Sequence, residues 1–505
     1  MIALWILIPL AILIAVVAVY DRAQKQNPIL RNYPVIGRFR FVLLDLGPKL
    51  RQYIVANNDE ERPFSRDQRR WIDDSSKKQN NYFGFGTDNK LETTSNYLII
   101  KPAVFPTHHP EKGEEGYDPE HPIRCNKILG AARNRKKAFR PDSVLYVSAM
   151  SFGSLSSAAV EALNRGCHIA DSLHNTGEGG IAPYHDHGAG LIWQLGTGYF
   201  GARDDDGNFC MDRLVAGAEE HNVRAIEIKL SQGAKPGRGG VLPAEKISSE
   251  IAAIRGIPRD RDCISPPTHS AFSNVDELLD FAESIADATG LPVGIKSAVG
   301  QMDFWGELAD EMARGERGLD FINIDGGEGG TGAAPLVFAD HVALPFKKGF
   351  SRVYRVFEER GITDDIVFMG AGRLGFPERA LFAFAMGVDM IGVAREAMLS
   401  IGCVQAQRCH TDHCPAGIAT HNKWLVKGLV PSDKSARLAN YLITLRRELM
   451  WLSHTVGVDH PSQITLDHFE ILDDQYNARH PADVFDYLSR AEKAAQPARK
   501  ADPVA

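Results

Sequence analysis

Phe321-Ile322-Asn323-Ile324-Asp325-Gly326-Gly327-Glu328-Gly329-Gly330-Thr331-Gly332 is the stretch on which the fold turns. A short apolar run that closes on a carboxylate and opens into glycines reads as a buried parallel strand feeding a loop. The same texture recurs at 144–148, 225–229, 293–296, 366–370 and 390–393, each run ending in Gly, Ser, Asp or Lys or passing into a loop. Between them, 155–171, 243–255, 274–289, 303–315 and 377–387 carry helical spacing. Strand and helix alternate over about 250 residues, the size of a (β/α)8 TIM barrel, so the fold class is α/β. A doubly wound sheet is the competing arrangement.

The composition narrows the function. The 505 residues hold 57 Lys+Arg against 64 Asp+Glu, a net charge of −7 with no basic stripe, which argues against nucleic acid as a partner. Glycine occurs 46 times, enough to expect backbone lying close to a ligand. Residues 1–20 carry no charged side chain and would span about 30 Å as a helix, so the sequence predicts a single-span transmembrane anchor. Arg22, Lys25, Arg31, Arg38 and Arg40 follow, and by the positive-inside rule they place the catalytic domain on the cytoplasmic side of the inner membrane. The expected organisation is an anchor at 1–20, an N-terminal extension at 21–140, the barrel with a cysteine loop at 141–430, C-terminal helices at 431–490 and a flexible tail at 491–505.

In a barrel the ligand sits where the strands end, so the closing residues are the candidates. The first rim loop offers Met150, Ser151 and Ser154; the loop at 326–332 offers Gly326, Gly327, Gly329 and Gly330. Gly370-Ala-Gly372-Arg-Leu-Gly375 follows a strand and opens a helix, as a dinucleotide fingerprint does. Asp389, however, precedes its strand where the Rossmann acid would end one. The same glycines in a seventh barrel loop, with Arg373 and with Arg395 after the eighth strand, suit a monophosphate, and flavin mononucleotide (FMN) fits better than NAD. Lys296, at a strand end, would face the flavin ring and stabilise its anionic reduced form.

Cys403, Cys409 and Cys414 fall within twelve residues, and Pro415 follows the last. Three thiolates with a Cys-Pro ending suggest iron–sulfur ligation; a Cys₃His zinc site using His410 or His413 is the alternative that spacing leaves open. The histidines at 168, 174, 185 and 187 read as rim scaffold, and the basic run 133–137 as an exposed turn.

As a set, Ser151-Phe-Gly-Ser154, Asn175-Thr-Gly-Glu-Gly-Gly180, Gln232-Gly-Ala-Lys-Pro-Gly237, Ser265-Pro-Pro267, Gly329-Gly-Thr-Gly-Ala-Ala-Pro335 and the cysteine loop through Thr420 strongly resemble the synthase domain of glutamate synthase. The likeness covers roughly residues 140 to 455. It implies an FMN barrel with a 3Fe-4S iron–sulfur cluster on the three cysteines, in which an imine of 2-oxoglutarate and ammonia is reduced to the amino acid. By the same resemblance Gln232 and Lys235 contact the oxoacid, Glu178 lies near the flavin and the ammonia exit, and Lys296 faces the flavin.

Two positions depart from that pattern: Tyr199 stands where an oxoacid-binding arginine belongs, and Val241 where a glutamine does. A flavin oxidoreductase for another amino or oxo acid, or a membrane-docked electron-transfer relay, is therefore the alternative. The chain shows neither an amidotransferase nor an NAD(P)H domain, so the resemblance implies a separate amidotransferase or free ammonium. It also implies an external electron donor such as ferredoxin or a reductase subunit.

Overall fold

The computed structural model describes residues 2–488 and residue 492, so the segment expected to form a flexible tail lies outside the described residues but for that one position. Eight strands close into a barrel: β1 (Leu145–Val147), β2 (Leu173–Asn175), β3 (Leu191–Leu195), β4 (Val223–Lys229), β5 (Val293–Ser297), β6 (Phe321–Asp325), β7 (Val367–Ala371) and β8 (Met390–Val393). Every neighbouring pair is parallel, and β8 returns to β1 with Val393 opposite Val147. This is the TIM barrel; the doubly wound alternative falls. The six runs read from sequence all lie on barrel strands. β2 and β3 went unread because Leu173-His-Asn175 is too short and polar, and Leu191-Ile-Trp-Gln-Leu195 too glycine-flanked, to stand out.

The helices follow the strands: α1 (Ser157–Ile169), α2 (Met211–Glu220), α3 (Ser249–Arg255), α4 (Val275–Thr289), α5 (Asp303–Ala313), α6 (Leu336–His341), α7 (Phe346–Glu358), α8 (Pro377–Ala385) and α9 (Arg395–Ser400). Capping chemistry fixes several starts. Ser156 accepts from Ala159 N–H, Ser248 from Ile251 N–H, and Asn274 from Glu277 N–H. Between β2 and β3 only a 3₁₀ turn, Pro183–His185, intervenes. The 25-residue helix α10 (Pro431–Thr455) ties back to α1 through buried Arg446, which donates to Ala170 O at 2.8 Å.

The barrel interior changes character with height. Its lower layer is apolar: Phe321, Val367 and Met390, each the first residue of its strand, pack with Tyr146, Ile192 and Ala225. Cys125 and Leu129 join that layer, and Leu129 bridges Phe139 in antiparallel fashion. The basic run at 133–137 is not simply an exposed turn, since Arg135 reaches Asp320 at 3.0 Å and Glu283 at 2.5 Å. Above this layer the filling turns polar. Fully buried Glu227 accepts hydrogen bonds from Asn175 Nδ2 (2.7 Å), Gln194 Nε2 (2.6 Å) and Asn323 Nδ2 (2.7 Å), tying four strands together beneath the mouth.

Residues 1–71 form a unit of their own, apart from 72–505. Within it, the last turn of the helix Ile2–Ala23 holds buried Asp21, whose carboxylate takes Arg38 at 2.6 Å and Val35 N–H at 3.0 Å. No helix among the described residues is long and apolar enough to cross a membrane. That finding overturns the reading of residues 1–20 as a transmembrane anchor, and with it the membrane partner and the inner-membrane placement. The helix carrying the run includes Pro9, and its last turn carries the ion-paired Asp21 with Arg22.

Phe321 is wholly buried, so Phe321→Ala leaves a cavity in the lower layer and costs about 3–5 kcal/mol. Urea unfolding of the two proteins measures the difference.

Candidate active site

The loops leaving the strand ends meet at one mouth of the barrel, and two glycine contacts set how closely. A Cβ on Gly233, in the loop after β4, would lie 1.9 Å from Gly326 O, in the loop after β6. No side chain fits there, so backbone packs on backbone. Gly233 N–H also donates to Asp325 Oδ2 at 2.9 Å, and Asp325 lies 3.4 Å from Lys296 Nζ at the end of β5. Lys296 is thereby fixed between two loops and buried, facing Lys229 in register across β4 and β5.

Glu178 occupies the second close contact. A Cβ at Gly196 would meet its Oε2 at 2.5 Å, and one at Gly240 its Oε1 at 2.8 Å, so two loops wrap the carboxylate in backbone. Lys229 Nζ donates to Glu178 Oε1 at 2.6 Å and to Gln232 Oε1 at 2.9 Å. Burial works against the Glu178 anion, but Lys229, with Lys235 and Arg255, outweighs it and holds the carboxyl below its ordinary range. Lys235 donates to Gly239 O at 3.1 Å. Burial, with Lys229 and Arg238 adding repulsion against the pull of Glu178, brings Lys235 down to about 8. Glu178, Gln232 and Lys235, read from the sequence, thus stand together, and Lys229 links them.

Tyr199 is buried and takes no part in the mouth. Its backbone sits in the left-handed region at φ 46, and its hydroxyl lies 3.0 Å from His269 Nδ1 and accepts from Ala271 N–H at 3.2 Å. Since His269 Nε2 must donate to Lys229 O at 2.9 Å, Nδ1 accepts the Tyr199 proton. The chain Ala271 to Tyr199 to His269 to Lys229 therefore braces the end of β4. Val241 pairs with Ile264 in a two-residue antiparallel ribbon.

On another side of the mouth the charges are guanidinium. Burial lowers Arg373 to about 10, with Arg379 and Arg395 adding to the effect, and lowers Arg395 as well. Arg395 donates to Glu328 O, and Gly330 packs on the Arg395 side chain. Arg373 has φ 59, next to Gly372 at φ 146. Desolvated cations gathered at glycine turns fit a phosphate group. Gly326, Gly327 and Gly370 have protein neighbours of their own, Phe346 for the first and last and Ala343 O for the second, while Gly329 lies nearest Gly326 O.

The first rim loop is held by other segments. Arg255 donates to Phe152 O at 3.0 Å and to Ser151 Oγ at 3.3 Å; Ser154 Oγ donates back to Ser151 O at 2.7 Å, and Met150 is buried beside them. Cys403, Cys409 and Cys414 are free of disulfides. Burial raises the Cys409 thiol, and Cys414 adds to the rise, so these two thiols share one environment. Among the described residues, no three His, Cys, Asp or Glu ligand atoms that include this loop lie within 4.8 Å of one another. With His410 and His413 beside them, the three cysteines make a donor set of the kind that thiolate-bound metal centres use.

Lys229, Asp325, Arg255, His269 and Lys246 went unread as site residues. Lys229 and Asp325 did carry a signal, a charge closing a strand; the other three lie in loops or short helices that nothing in the sequence folds toward the mouth.

Fold and site define a parallel α/β barrel with a buried, cation-rich mouth suited to an anionic cofactor and substrate. The description that matches residues 123–459 is a conserved region in glutamate synthase. The glutamate synthase large subunit-like protein YerD of Bacillus subtilis is 36% identical over 487 residues, 90% of this chain and 92% of that one. The archaeal glutamate synthase (NADPH) of Methanocaldococcus jannaschii is 33% identical over 346 residues, 67% of this chain but 64% of that one. The glutamate synthase (NADPH) large chain of Bacillus subtilis is 30% identical over 311 residues, only 19% of its length. The chain belongs to the glutamate synthase family and is an oxidoreductase of the class acting on the CH–NH₂ group of donors.

Tyr199→Phe leaves the His269 Nδ1 acceptor and the Ala271 N–H unpaired and costs about 1–3 kcal/mol, read by chemical denaturation.

Proposed function

We propose that the protein is an FMN-dependent oxidoreductase that reduces the C=N bond of an imine formed from 2-oxoglutarate, or a related oxoacid, and ammonia. The observation that carries this reading is the grouping of Lys229, Lys235, Gln232 and Glu178 beside Lys296 at one mouth, with Arg373 and Arg395 at another side of it. When bound, the flavin would supply hydride equivalents to the imine carbon.

The chain's own residues do the rest. Arg373 and Arg395, with the turn at Gly370 and Gly372, would hold the phosphate; Met150, Ser151, Ser154 and the glycines 326, 327, 329 and 330 would border the ring, and Lys296 would face it. Lys229 and Lys235 offset the charges of an oxoacid, with Gln232 orienting it. Glu178, kept ionised, anchors Lys229 and leaves an acceptor for ammonia or an iminium N–H. Lys235 loses its proton at about 8, so in the neutral range it holds one at Nζ to keep the imine nitrogen protonated. Cys403, Cys409 and Cys414 would ligate a 3Fe-4S cluster that receives electrons from an external donor, ferredoxin or a reductase subunit. A separate amidotransferase or free ammonium supplies nitrogen.

One observation favours a second reading. With Tyr199 buried and bonded to His269, the position where the resemblance calls for an arginine presents no charge, which supports a substrate other than 2-oxoglutarate.

Two tests bear on the proposal. Protein purified anaerobically is expected to carry FMN and iron and to form glutamate from 2-oxoglutarate and ammonium with a reduced carrier. Absence of flavin after reconstitution would sink the proposal, and flavin reoxidised only by another oxoacid would select the second reading. In the pH profile, kcat/KM falls on the alkaline side around pH 8 as Lys235 deprotonates. Lys229→Met removes a neighbouring positive charge, so Lys235 keeps its proton longer and the alkaline limb moves upward. Lys235→Met lowers kcat/KM by on the order of 10²- to 10⁴-fold.

A further inference from the structure

Three successive carbonyls of the β1 turn are each held by a side chain from elsewhere. Arg255 donates to Phe152 O, His421 Nε2 bonds Gly153 O at 2.9 Å, and Lys246 Nζ donates to Ser154 O at 3.0 Å. Lys246 is buried, and the same ammonium reaches Cys409 O at 3.3 Å. The cysteine loop is tied to this turn at two further points: Ser156 N–H donates to Ile418 O and Ser156 Oγ to Gly417 O, both at 2.7 Å. His421 N–H in turn donates to Asp412 Oδ1 at 2.7 Å. On the far side Cys409 packs against Gly332, in the loop after β6. The cysteine loop is thus pinned to the cofactor-facing rim from two sides. Among these ties, Lys246 alone joins a rim carbonyl directly to a cysteine.

Resting on the function proposed above, we propose that Lys246 is the positioning residue that couples the cysteine loop to the β1 turn, fixing both the separation and the local charge across which electrons enter the mouth. Two electrons delivered one at a time by an external one-electron donor, with one proton from solvent, equal the hydride that the imine consumes. The donor is oxidised twice and the C=N bond is reduced once. A fixed ammonium on the Cys409 carbonyl would favour the more negative, reduced state of whatever the loop's thiolates ligate, and so would also raise the potential at that point.

The test compares wild type with Lys246→Met, which keeps the stem and removes the charge, and Lys246→Arg, which restores it. In protein of matched iron and flavin content, EPR-monitored titration is expected to show a more negative midpoint for the cluster in the Met variant. Stopped-flow reduction by dithionite should show flavin reduction slowed at least tenfold, with most of the loss recovered in the Arg variant. Amide hydrogen exchange at 153–156 and 409–418 should quicken at least tenfold in the Met variant. Unchanged midpoint and flavin-reduction rate in loaded protein would overturn the proposal. A wild-type protein lacking iron or flavin would defeat the cofactor assignment; the exchange data then decide the coupling, faster exchange supporting it and unchanged exchange rejecting it. Should Lys246→Met not fold, Lys246→Gln, which retains one donor, takes its place with the same readouts.

Discussion

The ammonium of Lys229, 2.6 Å from Glu178 and 2.9 Å from Gln232, is the interaction around which the mouth of this barrel is arranged. A buried ion costs several kcal/mol unless its partner is placed well. Here the placement is forced from both ends. Glu178 is enclosed by the backbone at Gly196 and Gly240, and Lys229 is braced through its carbonyl by His269 and Tyr199. Losing either partner would strand a charge, so the pair fixes three loops at once. Burial in the same arrangement lowers Lys235, and the neighbouring Lys229 adds to the effect.

The polar layer beneath serves that arrangement. Glu227 has three amide donors and no cation among its hydrogen-bond partners, which satisfies its oxygens without placing another positive charge near Lys229 and Lys296. The apolar layer below supplies the stability, and the polar layer above it holds strand ends in register. Stability and chemistry are thereby separated along the barrel axis, as expected where ligands bind at the C-terminal face.

How much of this was legible depends on whether a residue's role is set locally. Strands such as Phe321–Asp325 announce themselves because a buried strand must be apolar over its whole length and must end in a turn. The places of Gly370, Gly372, Arg373 and Lys296 were legible for the same reason, since each lies at or just after such an end. His269 and Lys246 were not. His269 acts through contacts 70 and 40 positions away, and Lys246 through contacts 92 and 163 positions away, separations that no period in a sequence reveals. The apolar run at the N-terminus misled in the opposite direction. Hydropathy registers the composition of a segment, while the Asp21–Arg38 pair that closes its helix is a folded-state contact.

Tyr199 shows how a single buried hydroxyl can brace a site from behind. Its hydroxyl bonds inward to His269 and, through it, holds the Lys229 carbonyl, so the side chain serves the site by bracing Lys229. Tyr199→Arg would therefore not simply add a cation; it would also unpair His269 and loosen the end of β4. The rigidity of the central lysine thus depends on a residue outside the mouth, so a change at 199 reaches the site through His269.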